Sequence, residues 1–83
     1  MRRLVDLNPE WFVGEDGIRR VLYFDCPCGC GARLGCTLKP KNPVGWDYNG
    51  AEFDGVTLNP SVLHSTPGGC GWHGWIKNGE CVP

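Results

Sequence analysis

Three cysteines within five residues constrain this chain more than any other feature. The segment Cys26-Pro27-Cys28-Gly29-Cys30 is followed much later by Cys70-Gly71-Trp72-His73, in which a histidine stands at ligand spacing from a cysteine. Thiols this close in sequence cannot cross-link one another usefully, and a disulfide makes no use of a histidine. Thiolates and a neutral imidazole are ligands that zinc prefers, and structural sites close around four of them. The pattern predicts one structural Zn²⁺ ion, with its ligands drawn from Cys26, Cys28, Cys30, Cys70 and His73.

The ligand set within the first cluster stays open. A standard knuckle reads Cys-x-x-Cys, whereas Cys26, Cys28 and Cys30 offer three thiols for two places. Either one of the three lies beside the metal without binding it, or three cysteines bind together with one further ligand. Six cysteines is an even number, so a disulfide framework is the competing interpretation. Burial of the thiols as small apolar side chains is a third, which the crowding disfavours.

The chain is short enough to need such a constraint. At 83 residues it forms one domain, 1–83, whose core alone supplies about 3–5 kcal/mol of stability. Its 13 glycines and 7 prolines interrupt every stretch that could carry helical periodicity. We predict a small, mostly β, zinc-stabilised domain of short antiparallel strands and hairpins with little or no helix. Residues 1–10 are predicted to form an extended or irregular arm.

Two hairpins are predicted from turn signals. Residues 11–13 and 18–24 are apolar and β-branched, and they flank the turn sequence Gly14-Glu15-Asp16-Gly17. Residues 75–77 and 80–82 flank Asn78-Gly79, which suits a type I′ turn because both of its positions need positive φ. In that register Lys77 faces Glu80 as a charge pair and Ile76 faces Cys81.

Alternation between polar and apolar residues places the remaining cysteines. Residues 33–39 alternate as a half-buried strand, with Cys36 on the apolar face. Cys36 and Cys81 are therefore predicted to be core residues rather than ligands. Short extended pieces are predicted at 46–50 and 56–58. His64 is interpreted as a surface or packing residue.

Charge and hydrophobicity along the chain predict its cellular location and limit the classes of partner. The net charge of −1 includes no long basic run, and no apolar segment approaches the length of a membrane span. The N-terminus begins with basic residues, but no apolar stretch follows them, so the sequence does not predict an export signal. We expect a cytoplasmic protein without a membrane partner, in a reducing environment where disulfides are rare.

Several motifs together resemble a known family. They are Cys-Pro-Cys-Gly-Cys-Gly at 26–31, Trp46 with Asn49-Gly50, Leu58-Asn59-Pro60-Ser61-Val62, and 70–79 from Cys70 through His73 to Gly79. In this order they look like a family of small phage, prophage and bacterial zinc-binding proteins, some of which carry the label "ammonia monooxygenase". The resemblance implies a single zinc-binding domain of viral or prophage origin in a bacterial host, and no particular activity. The sequence does not support the monooxygenase label, because it lacks the histidine-rich site that copper oxygenase chemistry needs.

Three functions are weighed on these residues, and no catalytic residue is assigned. The favoured one is a protein-binding module for a host or viral protein, with exposed aromatic residues at its surface. The alternative is a zinc module for single-stranded nucleic acid, with basic residues gathered on one side. A zinc hydrolase is less favoured, because the thiolate-rich set resembles closed structural sites and Asp25 is its one candidate base. The aromatic residues are Trp46, Tyr48 and Trp75; the basic residues are Arg19, Arg20, Arg33, Lys39 and Lys41.

Overall fold

The chain is a mostly β protein made of short strands. The computed structural model describes residues 2–39, 43–63 and 71–83. Within these ranges a single 3-10 turn, Leu4–Asp6, is the one helical element, so the predicted fold class is confirmed. The strands are Arg2–Arg3 (β1), Glu10–Val13 (β2), Arg19–Asp25 (β3), Arg33–Thr37 (β4), Asp47–Tyr48 (β5), Leu58–Asn59 (β6), Val62–Leu63 (β7), His73–Lys77 (β8) and Glu80–Val82 (β9).

The described strands form three antiparallel sheets. The largest has the order β1-β9-β8-β7, the second β2-β3-β4, and the third pairs β5 with β6. The two larger sheets share one core, because each presents alternate side chains to it. Leu22 and Phe24 of β3 and Ile76 of β8 are fully buried there. The alternation that positions them therefore also sets which side chains face outward.

The first predicted hairpin is present as β2 and β3. Glu10 pairs with Tyr23, and the register shifts between Phe12 and Val13 at the turn end. The backbone N–H of Ile18 donates to the Asp16 carboxylate over 3.0 Å, which closes the turn. The strand predicted after the cysteine cluster is β4, and its Cys36 is buried opposite Leu22, as the alternation indicated.

The N-terminal residues belong to the fold and do not form a separate arm. Arg2 pairs with Cys81 of β9, and the N–H of Leu4 donates to the carbonyl of Gly79 over 2.7 Å. Leu4 and Leu7 are fully buried in the core. The two leucines lie three residues apart across the 3-10 turn. Burial of their apolar side chains stabilises the packing of this segment against the core.

The middle of the chain links the sheets. Trp46 forms an isolated bridge with Leu38, just beyond the end of β4. The strand predicted at 56–58 lies slightly later, as β6, and Val56, which precedes β6, is a buried core residue. The bond between Asn59 and Pro60 is cis, and Ser61 follows directly before β7.

The C-terminal hairpin has the predicted register. Ile76 pairs with Cys81 and Lys77 with Glu80, while Asn78 and Gly79 have φ values of 49° and 75°. Among the residues that the structure describes, Lys77 and Glu80 do not form the predicted ion pair. The Lys77 ammonium lies 5.9 Å from the centre of the Trp75 ring instead, on the same face of β8.

Substitution of Gly79 by alanine tests whether the close packing at this turn requires a glycine. A Cβ at this position would overlap the backbone carbonyl of Asp54, and φ is positive as well. We expect Gly79→Ala to lower the free energy of unfolding by about 3 kcal/mol. Gly50→Ala is the control, because φ is +80° there and nothing lies within 4 Å of the added Cβ. Its cost is about 1 kcal/mol. Equal losses in urea unfolding would contradict the overlap at Gly79.

Candidate functional site

The three clustered cysteines occupy the loop between β3 and β4. Pairing of the two strands ends at Asp25 and Arg33. The N–H of Cys26 then donates to the carbonyl of Ala32 over 2.9 Å, and the N–H of Gly29 donates to the carbonyl of Cys26 over 3.1 Å. Gly29 has a φ of 82°, which a residue with a side chain rarely adopts. The loop consequently folds back on itself and brings its thiols together.

The cysteine cluster has a geometry that suits a metal ion. The Sγ atoms of Cys26, Cys28 and Cys30 all lie within 4.8 Å of one another, and those of Cys26 and Cys28 are 3.4 Å apart. Thiolates around a tetrahedral zinc with bonds of about 2.3 Å stand about 3.8 Å from each other. Cys26 is buried, whereas Cys28 and Cys30 are exposed. These three residues lie close enough to bind a metal, and the identity of the ion stays a prediction.

A network of polar side chains holds the base of this loop. Asp25 accepts a hydrogen bond from the Asn8 amide over 2.7 Å and pairs with Arg33 over 2.9 Å. Arg33 also donates to the carbonyl of Asn8 over 2.8 Å and contacts Glu10 at 3.3 Å. The hydrogen bond from Asn8, together with Arg33, lowers the pKa of the Asp25 carboxyl. Asp25 therefore ties strand ends together, and its lowered pKa makes it a weak general base.

Cys36 and Cys81 belong to the core, as predicted. Both are buried, on β4 and β9 respectively. Burial, with a smaller contribution from the nearby Cys81, raises the pKa of the Cys36 thiol to about 12. Burial likewise raises the pKa of Cys81 to about 11. Neither thiol belongs to the group of mutually close metal-ligand atoms in the described ranges, which consists of Cys26, Cys28 and Cys30.

The second predicted half of the metal site is described only in part. Cys70 and His64 lie outside the described residues, so the predictions for them stay predictions. His73 begins β8 and is exposed. Within the described ranges, the group of mutually close metal-ligand atoms consists of the three clustered cysteines. Binding of a metal by His73 also stays a prediction.

The ring of His73 contacts a serine. Its Nε2 atom lies 2.8 Å from Ser61 Oγ, a hydrogen-bond distance. Leu63 pairs with His73 and Val62 with Gly74, so Ser61 stands diagonally across from His73. Alternation puts Val62 and Gly74 on the buried face of the sheet, and it puts Ser61 and His73 together on the outer face. The pair is therefore a product of the β7–β8 register.

Two tryptophans flank the serine and histidine. The Trp75 ring lies 5.5 Å from the His73 ring, tilted by 35°. The Trp46 indole N–H donates to the carbonyl oxygen of Ser61 over 3.2 Å. In the part of the chain that the structure describes, Ser61 Oγ is the hydrogen-bond partner of the His73 ring, and no carboxylate contacts that ring. The arrangement is that of a dyad in which a base touches a hydroxyl.

The predicted aromatic patch is divided between two places. Trp46 and Tyr48 are half-buried against the core, and Tyr48 packs on Trp11 at 5.9 Å between ring centres. Trp75 lies on the outer face of β8 beside His73. Among the described residues no ring contact joins the three aromatic side chains. Two of the three, Trp46 and Trp75, instead adjoin the Ser61–His73 pair.

The basic residues do not form an open stripe in the described ranges. Arg19 pairs with Glu52, Arg20 with Asp16 at 3.3 Å, and Lys39 with Asp47 at 3.7 Å. Arg33 is held in the network at the loop base, and Lys41 lies outside the described residues. Acidic partners reduce the positive field that phosphate groups would meet.

In the described ranges, no helix is long and apolar enough to cross a membrane.

Comparison with known proteins identifies the family. Residues 3–83 match the model of the BubE family, described as a bacterial ubiquitination-like system serine protease. Because this match covers nearly the whole chain, the chain belongs to that family. No curated protein and no solved structure matches it. The expected membership of a small bacterial family is thereby confirmed, whereas a phage or prophage origin stays a prediction.

Ser61 is the site residue to which the sequence analysis assigned no role. It appeared there as one position of the motif Leu58-Asn59-Pro60-Ser61-Val62. A nucleophile and a base that meet across two strands carry no fixed spacing, unlike paired metal ligands on one loop. No local signal pointed to the pair, because no strand was predicted after Ser61 and the strand predicted at 75–77 begins after His73. The two strands meet only when the β7–β8 register is known.

Metal content tests the cysteine cluster. We expect elemental analysis of the purified protein to find one zinc ion per chain, and Cys28→Ser and Cys30→Ser to lower that content severalfold. Cys36→Ala is the matched control, since it removes a buried thiol that remains protonated. Retention of zinc in both serine variants together with its loss in Cys36→Ala would contradict the assignment.

Thiol alkylation tests the two core cysteines. Thiolate is the reactive form, and burial holds the pKa of Cys36 and Cys81 at about 12 and 11. At pH 8 we expect iodoacetamide to leave both unmodified in the native protein and to modify both in guanidinium chloride. Mass spectrometry of the digested protein reads the two positions separately. Equal rates in native and unfolded protein would show that these thiols are accessible and not part of the core.

Proposed function

We propose that this BubE-family chain is a serine protease in which Ser61 is the nucleophile and His73 is its general base. The observation that carries the proposal is the 2.8 Å contact between Ser61 Oγ and His73 Nε2. Hydrogen-bond reach between a hydroxyl and a base is the first geometric requirement for such a pair. The family description names the same class of enzyme, so two independent observations support one chemistry.

In the proposed reaction, both residues of this contact move a proton. With its proton on Nδ1, His73 accepts the Ser61 hydroxyl proton at Nε2 while Oγ bonds to the scissile carbonyl carbon. The imidazolium then gives that proton to the leaving amine as the C–N bond breaks, which leaves an acyl-serine. Water next attacks the acyl carbon and passes a proton to Nε2. His73 returns this proton to Oγ as the acid product departs, and both residues are restored.

The position of the pair suits a macromolecular substrate. His73 is exposed, and Leu63, its partner across the strand pair, is 57% exposed. The opposite face of the same strands is buried in the core. A polypeptide can therefore reach Ser61 from the outer face of the β7–β8 pair without entering a cavity. In line with the family description, we propose a polypeptide of a ubiquitination-like system as the substrate.

The metal has a separate, structural part in this proposal. The donor set of Cys26, Cys28 and Cys30 fits Zn²⁺, because soft thiolates close the coordination of structural zinc. With Cys70 as the fourth ligand, His73 remains available to Ser61. The ion when bound would cross-link the loop between β3 and β4 and supply no acid, base or nucleophile.

The functions weighed on the sequence alone receive less support. Carboxylates pair Arg19, Arg20 and Lys39, which does not favour a nucleic-acid site. Asp25 is committed to Asn8 and Arg33, which does not favour a zinc hydrolase. Docking of a host or viral protein stays a prediction, as does a cytoplasmic location, and the proposed protease would itself bind a protein.

A fluorophosphonate probe tests the nucleophile without knowledge of the substrate. The probe phosphonylates an activated serine hydroxyl, so we expect stoichiometric labelling of the native protein, with the adduct mapped to Ser61 by mass spectrometry. Ser61→Ala removes the nucleophile and abolishes labelling. His73→Gln removes the base and slows labelling by about a hundredfold or more.

The chain supplies matched controls for both variants. Ser65 and His64 are its other serine and its other histidine. We expect Ser65→Ala and His64→Gln to be labelled at the native rate. Labelling that persists in Ser61→Ala, or that is lost equally in the control variants, would overturn the proposal.

A further inference from the structure

We infer that Trp46 is a positioning residue that holds the backbone of Ser61 for attack. The inference rests on the proposed protease function and adds a residue that the function alone does not require. Trp46 does not touch the reacting oxygen. It acts through the carbonyl group of the residue that carries this oxygen.

The donor itself is held firmly. The Trp46 backbone N–H donates to Thr37 at the end of β4 over 2.8 Å, and its carbonyl accepts from the Lys39 N–H over 3.0 Å. Its ring packs, half-buried, against the core. The indole therefore reaches Ser61 from a point that is tied to the β2-β3-β4 sheet. A donor on a loose loop would follow the motion of its acceptor, whereas this donor restrains it.

Ser61 needs such a restraint because its neighbouring strands are short. It lies between β6, which ends at Asn59, and β7, which begins at Val62, and each strand has two residues. Asp47, the residue next to Trp46, pairs with Asn59 on the upstream side. Among the described residues, Trp46 is the one whose side chain hydrogen-bonds to the Ser61 backbone. Residues 46–48 thus hold the serine segment by strand pairing and by the indole together.

A small displacement of Ser61 would matter for the reaction. Its Oγ must stay within hydrogen-bond distance of His73 Nε2 while it also points at a carbonyl carbon. Without the indole N–H, the half-buried carbonyl of Ser61 loses its partner and the segment shifts toward another donor. Misplacement by about 1 Å reduces rates by one to two orders of magnitude when the geometry must be close to that of attack.

The test replaces one atom of the Trp46 ring. 3-Benzothienylalanine at position 46 keeps the shape of the indole and puts sulfur in place of the N–H group. The kinetics of inactivation by the fluorophosphonate probe separate initial binding, KI, from the bonding step, kinact. We expect kinact to fall by about tenfold with KI unchanged. 5-Fluorotryptophan at position 46 keeps the N–H group and restores the native kinact.

Trp11 supplies the matched control. Its indole is also half-buried against the core, and in the described part of the chain its ring nitrogen makes no hydrogen bond to Ser61 or His73. We expect 3-benzothienylalanine at position 11 to leave kinact at the native value. If the substitution lowers kinact equally at positions 11 and 46, the effect is a general loss of packing and the inference is wrong.

The remaining outcomes distinguish this inference from the function on which it rests. If the native protein is labelled at Ser61 and benzothienylalanine at position 46 leaves kinact unchanged, the protease proposal stands and the role of Trp46 is overturned. If the native protein is not labelled at Ser61, the protease proposal itself fails. A tenfold fall confined to position 46 and reversed by 5-fluorotryptophan supports the inference.

Discussion

Packing of two hairpins against one core is the interaction on which this structure depends. Leu22 and Phe24 of β3 and Ile76 of β8 are completely buried, so each hairpin is held by the face that it turns toward the other. Burial of apolar surface is the main favourable contribution to folding, and a chain of 83 residues has little of it to spare. Leu4 and Leu7 add to the same core from the N-terminal segment. The cysteine loop and the serine–histidine pair both project from this framework.

The two candidate sites use the framework in different ways. The cysteine loop closes the β3–β4 hairpin, and contacts near in sequence are enough to gather its thiols. Ser61 and His73 meet because β7 pairs with β8 in one register. A slip of one residue would turn either side chain to the opposite face and separate the pair. A metal bound at the loop would stabilise the fold, whereas the reactivity of Ser61 depends on strand pairing and on the indole of Trp46.

Local patterns predicted the fold well where the signal lay within one hairpin. Asn78-Gly79 predicted a two-residue turn, and its register follows, with Ile76 opposite Cys81. Alternation along β4 predicted that Cys36 is buried. The N-terminal residues were expected to form an arm because nothing local indicates that Arg2 pairs with Cys81, at the far end of the chain. Pairing over such a separation is decided by the whole core, which no short window of sequence contains.

The same distinction between local pattern and long-range pairing applies to the two candidate sites. The sequence by itself pointed to the cluster of Cys26, Cys28 and Cys30, because a glycine-rich turn with this spacing can bring three thiols together without any distant segment. It also predicted a strand at 75–77, two residues after His73, in a motif rich in aromatic residues. Only the tertiary structure decided that this histidine contacts Ser61 and that Trp46 reaches the same serine. Those contacts join three segments whose approach depends on sheet register and core packing.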